Sequence, residues 1–83
     1  MLAVKTIHHP QYERLINQLV SARKAQHLTQ MQLAEKLGRP QSYIAKIEGR
    51  ERKLDIIEFF DLCQKLNENP IDILHAVFDS KTS

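Results

Sequence analysis

The sequence predicts an all-α fold of five short helices in a single domain, and three observations predict it. Apolar residues recur at helical spacing in five separate stretches, and most of these stretches are bounded by residues suited to a helix end. No segment alternates apolar and polar residues as a half-buried strand would, and there is no repeat or low-complexity tract. A chain of 83 residues, 42% of them apolar, can bury a small core that needs no disulfide or metal staple.

Tyr12, Leu15, Ile16, Leu19 and Val20 share one helical face, and Pro10 suits a first helical position, where the missing N–H costs nothing. That spacing predicts α1 over about 10 to 26. Thr29 and Gln32 have the spacing of a capping box and Leu28 and Leu33 that of a hydrophobic staple, which opens α2 over about 30 to 37. Gly38 stands where a left-handed residue ends a helix, and Pro40 can begin a helix but not continue one. A sharp turn follows, then α3 over about 41 to 48, with Ile44 and Ile47 inward and Gly49 placed to stop it.

The polar run Arg50-Glu51-Arg52-Lys53 has no periodicity and reads as a loop. Asp55 with Glu58 repeats the capping box and Leu54 with Phe59 the staple, so α4 runs from there to about Leu66 with a buried stripe of Ile56, Phe59, Phe60, Cys63 and Leu66. Asn69-Pro70 opens α5, which carries Ile71, Leu74, His75, Val77 and Phe78 and ends near Asp79. The expected organisation is an extension over 1–9, the helical domain over 10–79, and a frayed tail over 80–83.

Cys63 is the single cysteine, so no intramolecular disulfide forms; a small buried side chain and a reducing cytoplasm are the matching expectations. The opening MLAVKTIHHP lacks the apolar region of a signal peptide, and no run nears the ~18 apolar residues of a membrane span. The expected localisation is cytoplasmic, with no membrane partner.

The net charge of +2 implies no partner, but its distribution is uneven. Lys36 to Lys53 carries +4, from Lys36, Arg39, Lys46, Arg50, Arg52 and Lys53 against Glu48 and Glu51. Leu54 to Asp79 carries −5, from Asp55, Glu58, Asp61, Glu68, Asp72 and Asp79 against Lys65. Either the charges cluster by chance on a solvated surface, or an anion-binding face stands opposite an acidic one.

Two short helices joined through a glycine turn form a helix-turn-helix, whose second helix enters the major groove of DNA. Gln30-x-x-Leu33-Ala34-x-x-Leu37-Gly38 followed by Ile44-x-x-Ile47-Glu48 resembles that motif in the Cro and phage-repressor family, also called the XRE family. The resemblance spans about Leu15 to Leu74, with five helices in the family's order, and implies a lambda-repressor-like DNA-binding domain. Arg39 departs from the pattern: the family usually places an apolar residue there, and this side chain is free to snorkel toward solvent or phosphate.

By position, the resemblance implies that Gln30 holds a DNA phosphate at the start of α2, where the helix dipole favours an anion. It implies that Gln41, Ser42 and Lys46 reach base edges, with Tyr43 among them or packing on sugar or a thymine methyl. Arg50, Arg52 and Lys53 then read as phosphate contacts. In the family, the positions of Arg23 and Glu48 form an ion pair tying α1 to the end of α3.

His8, His9, His27 and His75 lack the spacing of a zinc site, Ser42 has no evident base, and no glycine-rich phosphate loop or carboxylate cluster is present. The expectation is no enzyme, no metal and no cofactor. Leu74, Val77 and Phe78 of α5 are either core or the interface of a homodimer, since a two-fold dimer reads two half-sites. The function expected is an XRE-type transcriptional regulator that binds double-stranded DNA as a homodimer and represses by blocking a promoter. The alternative is an antitoxin-like module whose α5 or acidic end binds a partner protein.

Overall fold

In the computed structural model, which describes residues 6–79, a 3-10 turn at Thr6–His8 precedes five α-helices: α1 Pro10–Ala25, α2 Gln30–Leu37, α3 Gln41–Glu48, α4 Ile56–Lys65 and α5 Pro70–Phe78. The tail 80–83, expected to fray, and the first five residues of the expected extension lie outside the described residues. Within that extension Ile7 packs against the core, and His9 caps α1 by accepting from the Gln11 N–H at 3.1 Å.

Every helix but α3 starts at a side-chain cap, and α3 follows Pro40 without one. The Thr29 hydroxyl accepts from Gln32 N–H at 3.0 Å while the Gln32 side chain accepts from Thr29 N–H at 2.9 Å, and Asp55 with Glu58 does the same for α4. Asn69 accepts from Ile71 N–H at 2.8 Å ahead of α5.

The helix ends are less uniform than the glycines suggest. Gly38 is left-handed at φ 68°, as expected, but Gly49 is not, at φ −81°; the left-handed residue closing α3 is Arg50, at φ 57°. His27 and Asn67 take the same role after α1 and α4. In all four cases the residue beyond donates its N–H back to a carbonyl of the last turn, as Glu51 does to Lys46 at 2.9 Å and Glu68 to Cys63 at 2.8 Å. This backbone closure holds a side-chain-bearing residue in a conformation that disfavours one.

The core joins Tyr12, Ile16, Leu19 and Ala22 of α1, Leu33 and Ala34 of α2, Ile44 and Ile47 of α3, Phe59, Leu62 and Cys63 of α4 with Leu66 just beyond it, and Ile73 of α5. Ala34 lets α2 and α3 approach closely, and burial drives the Cys63 thiol up to about 11, so it stays protonated. The α4 stripe is turned from the expected one: Leu62 is buried, whereas Ile56 and Phe60 are largely exposed. Packing against α2 and α5 selects the Phe59–Leu62–Cys63–Leu66 side, and an all-round apolar first turn cannot reveal which side that is. The expected α5 interface also changes: Val77 is 1% exposed and belongs inside the protomer, while Leu74 is half-buried and Phe78 is 52% exposed. No helix among the described residues is long and apolar enough to cross a membrane.

Candidate nucleic-acid interface

The exposed face of α3 follows from what its apolar residues bury. With Ile44 and Ile47 in the core, the helical period turns Gln41, Ser42 and Lys46 outward, and all three are exposed. Among the described residues, Ser42 and Lys46 make no side-chain hydrogen bond or ion pair, whereas Gln41 is held.

Gln41 is held through a chain of polar groups that begins in the core. The Arg23 guanidinium, at the end of α1, grips Glu48 at the end of α3 with two nitrogens, at 2.7 and 3.0 Å, and gives a third to the Leu28 carbonyl at 2.7 Å. Glu48 Oε1 also accepts from Gln30 Nε2 at 2.9 Å, and Gln30 Oε1 accepts from Gln41 Nε2 at 2.9 Å. A carboxylate only accepts, so Gln30 must present its NH2 to Glu48; its oxygen is thereby turned to Gln41, which must in turn present its own NH2. Gln41 is left with a free carbonyl oxygen and one spare N–H, and Gln30 with one spare N–H at the start of α2. The resemblance pairs Arg23 with Glu48 but gives Gln30 and Gln41 separate roles, so the relay that joins all four is not visible in the sequence.

The loop after α3 is fastened rather than loose. The Tyr12 hydroxyl accepts from Leu54 N–H at 2.9 Å and lies 3.5 Å from the Arg52 carbonyl; burial raises its pKa, which keeps it protonated. Arg50 lies 3.5 Å from Glu13, a long and exposed pair, and Lys53 is exposed.

Arg52, expected as a phosphate contact, is already engaged within the chain. Its Nη1 and Nη2 meet Glu58 at 2.9 and 2.8 Å, so its charge is already matched. The Arg52 hydrogen bond holds the Glu58 carboxyl down at about 2, despite burial acting the other way. Glu58 therefore does not belong to an acidic face remote from the basic middle; it caps α4 and neutralises Arg52 at once. The capping box predicts only the first of these roles, because the second depends on how the loop folds back.

Tyr43 is half-buried, with the Arg39 and Arg52 guanidinium carbons 4.7 and 4.8 Å from its ring centroid. Burial first, then Glu58, raises its phenol above the ordinary value. The aromatic ring thus supports the two arginines instead of standing free on the outer face of α3.

No group of three or more His, Cys, Asp and Glu residues placed to hold a metal ion occurs among the described residues. His75 pairs with Asp79 at 3.2 Å, one helical turn away.

A family model described as helix-turn-helix matches residues 19–74. Among solved structures, an XRE-family like protein from Pseudomonas syringae pv. tomato str. DC3000 is similar, with 42% identity and a TM-score of 0.83 over 94% of each chain. No curated protein matches. On the motif, the helix order and these likenesses, the chain belongs to the XRE-type helix-turn-helix family of DNA-binding regulators.

Proposed function

We propose that the chain is a sequence-specific transcriptional repressor that reads the major groove with α3 and acts by occupying a promoter. The observation that supports this most is the directed relay from Glu48 through Gln30 to Gln41. It leaves Gln41 offering one acceptor and one donor side by side, the pattern complementary to N6–H and N7 of adenine. Lys46 and Ser42 flank it on the same exposed face. The spare N–H of Gln30 at the start of α2, together with Arg50 and Lys53, supplies phosphate contacts that set register and make binding salt-dependent.

A single domain of this size covers few base pairs, so the reading includes a two-fold dimer. Its apolar contact is built from Phe78 and Leu74 on α5, with the exposed Ile71 of the same helix; Val77, being buried, takes no part. Phe78→Glu should separate the subunits while leaving each one helical, and sedimentation at micromolar concentration reads the result. A parent that sediments as a monomer even with full-site DNA would refute the dimer.

Selection of bound sequences from random duplex DNA tests the whole reading. The expected product is a palindromic motif with half-sites about one helical turn apart. Recovery of no motif, with binding no better than to arbitrary duplex, would contradict sequence-specific regulation.

A further inference from the structure

Arg39 is the turn residue that departs from the family pattern, and its surroundings give that departure a use. Its guanidinium lies against the Tyr43 ring, and the same ring carries Arg52. Arg52 is fixed by Glu58, whose carboxylate is itself held by Asp55 N–H at 3.1 Å at the start of α4. A ladder of contacts therefore runs from the first turn of α4, through Glu58, Arg52 and Tyr43, to the turn that precedes α3.

The two arginines on the ring differ in what they have left to give. Arg52 is matched by a carboxylate, whereas Arg39 is exposed and has no ion-pair partner among the described residues. A ring attracts a guanidinium without consuming its charge, and a guanidinium resting on a ring keeps in-plane N–H donors for an anionic oxygen. Arg39 borders the same concavity as Ser42, Lys46 and Glu51, so those donors sit beside the outward face of α3.

We propose that Arg39 is a phosphate-contacting residue of the DNA complex and that Tyr43 is its positioning residue, restraining the guanidinium before DNA arrives. This rests on the DNA-binding reading above and adds to it a role for an aromatic side chain that need touch no base. Restraint before binding lowers the ordering cost on association, which is why loss of the ring should weaken a contact the ring does not itself make.

The test is a titration of the selected duplex and an unrelated duplex of equal length, across a salt series, with four variants whose helicity and melting are checked first. Arg39→Ala should weaken both duplexes alike and reduce the slope of log K against log salt by about one unit. Tyr43→Leu should weaken binding about three- to fivefold at fixed salt, by the usual strength of an exposed cation–ring contact, and Tyr43→Phe, which keeps the ring, should bind like the parent. The Arg39→Ala, Tyr43→Leu double variant should be no weaker than Arg39→Ala alone, because the ring acts through the arginine. An unchanged salt slope in Arg39→Ala, or losses that multiply in the double variant, would overturn the inference while leaving DNA binding intact. A parent that binds neither duplex would overturn the DNA-binding reading and this inference together.

Discussion

The domain contains two doubly bonded Arg–Glu pairs of nearly the same length in very different places. Arg23 and Glu48 meet at 2.7 and 3.0 Å with side chains only 10% and 12% exposed, bridging α1 and α3. Arg52 and Glu58 meet at 2.9 and 2.8 Å, but the arginine is 38% exposed, at the edge of the proposed DNA face. The first pair is desolvated and fully engaged, because Leu28 and Gln30 satisfy what the two charges leave over. The second remains in contact with water, where attraction is screened and its value lies in geometry. Similar chemistry thus anchors the fold at one place and props a surface at the other.

The largest effect should come from separating the first pair. Glu48→Ala leaves the Arg23 charge buried without its partner and should cost ~3 to 5 kcal/mol of stability, whereas Glu58→Ala should cost clearly less. Thermal or urea unfolding checks this, and equal losses would break the comparison.

Removing both charges of the buried pair sharpens it. Arg23→Met with Glu48→Leu replaces the pair by apolar volume, which is often neutral or stabilising by ~1 to 4 kcal/mol. The double variant should melt near or above the parent, yet discriminate less well between the selected site and arbitrary duplex, because Gln30 loses the acceptor that orients it. Unimpaired discrimination would separate the ion pair from the reading of DNA.

A smaller effect is expected at the loop between the pairs. Arg50 closes α3 at φ 57°, a conformation that costs a side-chain-bearing residue roughly 1 kcal/mol. Arg50→Gly should therefore raise stability by about that amount while lowering affinity for every duplex through the lost charge. A variant less stable than the parent would show that the Arg50 side chain, through Glu13, matters more to the fold than its backbone strain.

The smallest effect is the acid response of the exposed pair. Glu58 is held at about 2, below its ordinary 4.5, so its contribution is complete above about 4.5 and is lost as pH falls through about 2. In Glu58→Gln the decline of stability across that interval should be shallower than in the parent. Identical acid-unfolding curves would contradict the assigned pair.

How much of this was legible in the sequence depended on whether the cause was local. Capping boxes, proline starts and the Gly38 turn act within four residues, so α2, α3 and the start of α4 were readable to the residue. The left-handed Arg50 was not, because backbone closure by Glu51 N–H replaces the glycine that propensity would place there. Nor was the buried side of α4, whose Ile56, Ile57, Phe59 and Phe60 surround the helix with apolar surface and leave the choice to tertiary contact. At the site, the outward positions of α3 followed from periodicity. The neutralisation of Arg52 by Glu58 and the coupling of Gln30 to Gln41 join residues of different elements, which one sequence cannot pair.

The most direct test of the central claim, that a buried ion pair orients the residue that reads DNA, is a titration of Gln41→Ala against the parent at fixed salt on the selected duplex and an arbitrary one. The account predicts a loss of discrimination of ~1 to 3 kcal/mol, with melting and non-specific affinity unchanged. A variant that distinguishes the two duplexes as well as the parent would contradict it.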